Sequence, residues 1–96
     1  MSEEPINKVL YPLQRFKVLG FLCQVESSNY GSIGEFTGLS VSDISKTIRT
    51  LEDHGYVMVR KTRRGRYPET LVRATELGQS EMKKLLRGLK KYGHTS

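Results

Sequence analysis

The sequence predicts a small α+β fold that is mainly helical and carries one β-hairpin. Four segments have apolar residues at helical spacing or paired helix start and stop signals. A β-branched run, YVMVRKT, is followed by a shorter one, TLVRA, as expected of two strands. Because 96 residues can enclose one hydrophobic core, we expect a single domain over residues 1–96. The expected order is helix, helix, helix, hairpin, helix.

The first helix follows an N-terminal arm that is expected over residues 1–11. Pro12 suits a first helical turn, and the apolar positions of LQRFKVLGFL recur at helical spacing. A helix is therefore predicted over residues 12–25. In the second segment, SIGEFTG, Ser32 and Glu35 have the spacing of a capping box, and the final glycine supplies a stop.

The third helix is predicted from Ser40 onward, with Gly55 as its stop. Ser40 and Asp43 form a second capping pair. Residues 32–55 are thus two helices joined by a short glycine-containing turn, which is a helix-turn-helix unit, and Gly34 supplies the small residue that such a crossing needs. The apolar face of the third helix is expected to comprise Val41, Ile44, Ile48 and Leu51.

The opposite face of the third helix is polar. A rotation of 100° per residue places on or beside it Ser42, Ser45, Lys46, Arg49, Thr50 and Asp53. Hydroxyl, ammonium and guanidinium groups donate hydrogen bonds to bases and phosphates, so this face is a candidate DNA-reading surface. Taken alone, such a face is more often simply the solvated side of an amphipathic helix.

A β-hairpin and a final helix complete the chain. Strands are predicted at residues 56–62 and 70–74, with the loop RRGRYPE between them, and Thr75 is expected to cap the last helix. The hairpin region contains five cations within seven residues, namely Arg60, Lys61, Arg63, Arg64 and Arg66. This crowding of like charges is costly unless a polyanion binds there.

The net charge is concentrated in the second part of the chain. Of the formal charge of +6, residues 60–96 carry +8 and residues 1–59 carry −2. Such asymmetry indicates a polyanionic partner, nucleic acid before an anionic membrane surface. No apolar run approaches the roughly 18 residues of a membrane span. Because the first residues, MSEEPINK, are also acidic, we expect a cytoplasmic protein without membrane contact.

The segment GEFTGLSVSDISKTIRTLEDHGYVMVRKTRRGRYPETLVRATELGQ resembles the core of MarR-like transcriptional regulators, in particular the compact single-domain ones. The matching features are the GLS turn, the run Leu-Glu-x-x-Gly-Tyr-Val, the basic wing and the Ala-Thr-x-x-Gly entry to the last helix. The resemblance covers about residues 12–92. It implies a winged helix-turn-helix fold divided into a helix-turn-helix (32–55), a wing (56–74) and a C-terminal dimerisation helix (75–92).

The resemblance further implies a homodimer on double-stranded DNA, with the third helix in the major groove and the wing on the minor groove. The residues expected to contact DNA are Ser42, Ser45, Lys46, Arg49, Arg63, Arg64 and Arg66. Two positions depart from the family pattern, because Thr37 and Thr47 stand where apolar residues are usual. Phe36 is expected to fill the place that Thr37 leaves.

The last helix has more apolar residues than a lone surface helix needs. Packing on the core explains part of this stripe, and the remainder indicates a partner chain. The residues expected at a dimer interface are Val9, Leu10, Met82, Leu85, Leu89 and Tyr92.

Other chemistries find little support in the sequence. Cys23 is expected to be a small core residue rather than a redox sensor. With His54 and His94 it makes no convincing ligand set, so no metal is expected. No nucleophile and base share a pocket, and no phosphate-binding glycine loop is present, so neither a cofactor nor enzymatic activity is expected. No pocket for a small-molecule effector is evident.

The sequence therefore predicts a sequence-specific transcriptional regulator that binds double-stranded DNA and acts as a repressor. Two alternatives stay open. One is a winged-helix module that binds a protein partner, and the other is an architectural DNA binder without sequence preference.

Overall fold

Four helices and a three-stranded antiparallel sheet make up the fold. The computed structural model describes residues 7–93, and the side chains of residues 7–91. The helices are α1 (Leu13–Leu22), α2 (Tyr30–Thr37), α3 (Val41–Asp53) and α4 (Glu76–Gly93). The strands are β1 (Ser28–Asn29), β2 (Val57–Arg64) and β3 (Tyr67–Ala74). The predicted fold class is confirmed, with β1 as an addition.

The sheet has the order β1-β3-β2, so the hairpin of β2 and β3 is extended on one side by β1. Ser28 and Asn29 pair with Val72 and Leu71, respectively. The sequence does not predict β1, because two residues are too few to show the alternation of a strand. This short pairing attaches the segment before α2 to the base of the hairpin.

Helix α2 begins earlier than predicted. Its N-cap is Asn29, whose side-chain oxygen accepts a hydrogen bond from the backbone N–H of Ser32 at 2.8 Å. The predicted cap at Ser32 is therefore wrong, since Ser32 lies within the first turn of a helix that starts at Tyr30. Helix α1 ends at Leu22 rather than at residue 25, and Leu22 is also its last buried residue.

The ends of α2 and α3 agree with the predicted glycine stops. Gly38 and Gly55 both have φ of 76°, in the left-handed region that glycine adopts without strain. After α3, the N–H of Gly55 donates to the carbonyl of Glu52, and the N–H of Tyr56 donates to the carbonyl of Leu51, both at 2.9 Å. This pair of bonds is a Schellman motif, and it turns the chain from α3 directly into β2.

The hydrophobic core lies between the helices and one face of the sheet. Its fully buried side chains include Leu10, Val18, Leu19, Leu22, Ile33, Ile44, Leu51 and Val72. Every helix and both long strands contribute to this cluster, and Met82 and Leu85 represent α4 in it. The three helices before the hairpin and the helix after it are therefore held by the same set of contacts.

Thr37 is buried although it is polar. Its hydroxyl donates to the carbonyl of Ile33 at 2.7 Å and accepts from the N–H of Leu39 at 3.3 Å, so its polar atom is satisfied within the core. The expectation that Phe36 fills this position is wrong. It is 61% exposed and stacks on Phe21 with ring centroids 4.6 Å apart.

Candidate nucleic-acid interface

The start of α3 is fixed by the turn that precedes it. The Ser40 hydroxyl accepts a hydrogen bond from the N–H of Asp43 at 3.1 Å, which confirms the predicted cap. Across the turn, a Cβ atom at Gly34 would lie 3.4 Å from both the Ile44 side chain and the Leu39 carbonyl. A small residue in α2 therefore allows α2 and α3 to cross closely, as expected of a helix-turn-helix unit.

The buried face of α3 differs from the prediction at one end. It comprises Ile44, Thr47, Ile48 and Leu51, whereas Val41 is 70% exposed. The assignment of Val41 to the core is thus wrong. Val41 is the first residue of the helix, and the neighbouring elements cover α3 only from Ile44 onward. Thr47, which the prediction did not include in the apolar face, is buried.

The exposed face of α3 carries the four predicted DNA-contacting residues of this helix, Ser42, Ser45, Lys46 and Arg49. Within the described side chains, none of these four forms a hydrogen bond or ion pair through its side chain. Thr50, beside them, is half-buried, and its hydroxyl donates to the Lys46 carbonyl at 3.2 Å. The structure therefore places these four on one open surface, with their donors unengaged.

The electrostatic surroundings of this face involve Tyr30, the first residue of α2. Burial raises the pKa of the Tyr30 phenol above its ordinary value, the nearby Glu52 raises it further, and Arg49 acts in the opposite direction. Tyr30 therefore stays neutral at physiological pH and presents a hydroxyl close to α3. The sequence alone does not indicate this proximity.

The wing hairpin, here residues Val57–Ala74, has longer strands and a shorter loop than predicted. Arg64 pairs with Tyr67 in the sheet register, so only Gly65 and Arg66 form the turn. Gly65 has φ of 65°, the glycine-favoured conformation expected at the first position of a type II′ hairpin turn. The predicted loop RRGRYPE is therefore mostly strand, and the wing extends as a paired hairpin to its tip.

The five wing cations point to two faces of the hairpin. Successive side chains of a strand alternate in direction, and Val57 and Val59 define the face turned toward the core. Lys61 and Arg63 continue that face beyond the core, whereas Arg60 and Arg64 lie on the other face and Arg66 lies in the turn. All five are exposed. A polyanion on either side of the hairpin would thus meet positive charge.

One of these arginines is linked to the start of α2. Arg64, whose side chain is 81% exposed, lies 4.0 Å from the carboxylate of Glu69 on the facing strand. The same Glu69 oxygen accepts a hydrogen bond from the Asn29 side chain at 3.3 Å. Glu69 and Asn29 therefore connect the wing to the helix-turn-helix unit, and sequence reasoning missed both.

The residues predicted for a dimer interface occupy different environments. Leu10, Met82 and Leu85 are buried within the chain itself, so they are core residues rather than a free surface for a partner. Val9 is half-buried against the same core. Leu89 is 44% exposed, and the neighbouring Leu86 is 49% exposed. The side chain of Tyr92 lies outside the described residues.

Cys23 lines an open groove of about 330 Å³ between α1 and α4. The groove is mainly apolar, with Phe16, Phe21, Met82 and Leu86 among its walls. Burial raises the pKa of the Cys23 thiol, and the charge of Lys83 opposes this effect more weakly. The thiol is therefore neutral and poorly nucleophilic at physiological pH.

Neither a cluster of metal ligands nor a helix suited to a membrane occurs within residues 7–93. Within residues 7–93, no group of three or more His, Cys, Asp or Glu side chains could hold a metal ion. His94 lies outside the described residues. In the same part of the chain, no helix combines the length and the apolar character needed to cross a membrane.

Comparison with known proteins places this chain in a family. The family model described as "Winged helix DNA-binding domain" matches residues 14–92. The chain belongs to this family. The predicted resemblance to MarR-like winged helix-turn-helix regulators is confirmed. The chain is a DNA-binding transcriptional regulator.

Solved structures share the same fold. The transcriptional regulator homologue from Pyrococcus horikoshii OT3 is 28% identical with a TM-score of 0.81, over 88% of this chain and 83% of that chain. A MarR-family regulator from Rhodococcus sp. RHA1 is 26% identical with a TM-score of 0.66, over 91% of this chain and 66% of that chain. A MarR-family protein from Enterococcus faecalis V583 shows similarity of fold alone, at 16% identity and a TM-score of 0.74. No curated protein sequence matches the chain.

Proposed function

We propose that this protein is a sequence-specific repressor that binds double-stranded DNA as a homodimer. In this proposal α3 enters the major groove and the wing contacts the adjacent minor groove. Membership of the winged helix DNA-binding family supports the DNA-binding part. The assignment of α3 to the major groove and of the wing to the minor groove rests on the arrangement of polar and charged side chains.

The exposed row on α3 is the observation that carries the proposal. An α-helix with its side chains is about 10–12 Å across, which fits the major groove, about 12 Å wide. Lys46 and Arg49 can donate to guanine acceptors, and the hydroxyls of Ser42 and Ser45 can donate to bases or phosphates. The opposite face of the same helix is packed in the core, so the side chains of this row point away from the core into solvent.

The wing supports the proposal through its charge. Cations on both faces of an extended hairpin can contact phosphates on both sides of the minor groove, while Arg66 at the turn faces the groove itself. Each phosphate contact releases counterions, so binding is expected to weaken steeply with salt. Arg63, Arg64 and Arg66 are proposed as the wing residues that contact DNA.

The homodimer is proposed from the apolar residues that remain exposed on α4 and near α1. Leu86 and Leu89 are half exposed, and Tyr11 and Leu13 are exposed at the other end of the chain. A two-fold dimer would place two copies of α3 in successive major grooves about 34–36 Å apart, so its target would be an inverted repeat.

An architectural DNA binder is a second candidate, because the positive charge is strongly concentrated in residues 60–96. Such a protein would rely on phosphate contacts, with little contribution from the α3 side chains. A protein-binding winged helix would instead have little affinity for DNA.

One selection experiment separates these candidates. The purified full chain is incubated near physiological salt with a randomised duplex library, and the retained DNA is sequenced. An enriched inverted repeat is the result expected of a sequence-specific dimer. Retention without enrichment would favour the architectural binder, and no retention would contradict DNA binding altogether.

A further inference from the structure

The first residue of α3 is an exposed apolar side chain beside the proposed base-reading row. Val41 is 70% exposed, and among the residues of α3 it is the one large apolar side chain that the fold leaves open to solvent. The other apolar residues of this helix, Ile44, Ile48 and Leu51, are buried. The core therefore does not use Val41.

The capping structure of α3 does not use Val41 either. An apolar residue just before an N-cap often packs against the residue at the fourth helical position and fixes the entry angle of the chain. Here Leu39 precedes the cap Ser40 and packs on the core, and Ile44 at the fourth position is fully buried. Val41 lies at the first helical position, outside this pair.

The position of Val41 matches that of a residue that reaches base edges. In helix-turn-helix proteins, the N-terminal residues of the second helix contact the bases. Val41 lies one helical turn before Ser45, so its exposed side chain borders the proposed reading row at that residue. The bond from Asp43 to Ser40 holds this first turn in place.

The chemistry of the major groove limits what an apolar side chain can recognise there. Base edges present hydrogen-bond donors and acceptors, and the one apolar group among them is the C5 methyl of thymine. The two methyl groups of valine have no donor or acceptor. Val41 can therefore contact the thymine methyl, whereas against a polar base edge it would leave a hydrogen-bonding group buried without a partner, which costs binding free energy.

We propose that Val41 recognises the C5 methyl group of one thymine in each half-site. This inference rests on the proposed function, because it requires α3 to lie in the major groove. Burying one methyl-sized apolar group corresponds to about a fourfold change in the dissociation constant. Val41 thus adds sequence selectivity without contributing to the salt dependence of binding.

The test removes the C5 methyl group from the DNA and the two Cγ methyl groups of Val41 from the protein. A duplex enriched by the wild-type chain is resynthesised with its thymines replaced singly by deoxyuridine, which lacks only the C5 methyl. Dissociation constants are measured for the wild type, for Val41→Ala, and for Val25→Ala as a matched control at a partly exposed valine outside α3. Because Val41 is exposed, Val41→Ala should fold normally, which circular dichroism and a melting curve check.

At one thymine per half-site, deoxyuridine should weaken wild-type and Val25→Ala binding about fourfold and leave Val41→Ala binding unchanged. The inference is overturned if Val41→Ala shows the wild-type loss at every thymine, or if the wild type is indifferent to all of them. Those results would leave the proposed function intact. If no duplex is enriched in the first place, sequence-specific binding fails and the inference fails with it.

Discussion

Gly78, in the first turn of α4, lies against the carbonyl group of Tyr56 with no room for a side chain. A Cβ atom at position 78 would lie 3.0 Å from the Tyr56 carbonyl carbon and closer still to its oxygen. The same carbonyl accepts a hydrogen bond from the N–H of Thr75 at 3.0 Å, and the Thr75 hydroxyl donates to the carbonyl of Gly55 and accepts from the N–H of Gly78. These contacts fix the start of α4 against the residues that lead into the wing.

We therefore expect Gly78→Ala to destabilise the fold by about 1–3 kcal/mol, because the added methyl group must displace backbone rather than a movable side chain. Gly88→Ala is the matched control in the same helix. A Cβ atom there would meet nothing within 4 Å, and alanine is the better helix former, so the variant should be about 0.5–1 kcal/mol more stable. Urea unfolding at a fixed protein concentration measures both. Equal effects of the two substitutions would contradict the close approach at Gly78.

The N-terminal cap of α2 gives a second prediction. Asn29→Ala removes the acceptor for the Ser32 N–H and the donor to Glu69, and it should cost about 1 kcal/mol of stability. Ser32→Ala alters an exposed side chain and should change the free energy of unfolding by less than about 0.5 kcal/mol. Thermal or urea unfolding distinguishes the two. A larger loss for Ser32→Ala would restore Ser32 as the cap.

Much of this fold could be predicted because its signals are local. Gly38 and Gly55 end their helices, and Ser40 begins one, through bonds between residues at most five positions apart. The four polar residues assigned to the exposed face of α3 are exposed for the same reason, since helical geometry sets the direction of each side chain.

What could not be predicted depends on the extent of packing and on contacts between distant residues. Helical periodicity gives the direction of Val41 but not whether a neighbouring element reaches the first turn. The family pattern favours an apolar residue at position 37, with Phe36 as a substitute, although an internal hydrogen bond makes Thr37 suitable for the core. The bond from Asn29 to Glu69 spans 40 positions and has no local signal.

The wing gives a third prediction, concerning salt dependence. Arg64→Ala and Arg66→Ala should weaken binding to every duplex and reduce the slope of log affinity against log salt by roughly one each, because each removes one positive charge that neutralises the DNA phosphates and releases counterions. Arg87→Ala on α4 removes an equal charge outside the wing and should leave the slope unchanged. The slopes are measured with a fluorescent duplex over a series of salt concentrations. An unchanged slope in both wing variants would show that the wing does not contact phosphates.

The thiol of Cys23 gives a prediction about pH. Its pKa is raised in the folded state, mainly by burial, so the folded chain holds this proton more tightly than the unfolded chain does. The resulting stability is fully present below the unfolded pKa, about 8.5, and is lost as the pH rises through the folded value. The wild type should therefore lose stability relative to Cys23→Ser as the pH rises above about 8.5. Iodoacetamide should also label Cys23 more slowly in the folded chain than in urea at equal pH. Equal labelling rates would contradict the burial of the thiol.

The exposed leucines of α4 give the last prediction. If Leu89 lies at the interface of a homodimer, Leu89→Glu places a charge in an apolar contact and should convert the dimer to a monomer. Leu77→Glu is the matched control, because Leu77 is also about half exposed but lies in the first turn of the same helix, where a carboxylate suits the helix dipole. Light scattering after size-exclusion chromatography gives the mass of each species.

The monomeric variant should still bind one half-site, but far more weakly than the dimer binds an inverted repeat, because the second α3 no longer binds within the same complex. A wild-type chain that is monomeric at micromolar concentration, or a Leu89→Glu variant that keeps the dimer mass, would remove Leu89 from the interface and require another surface to bring the two copies of α3 together.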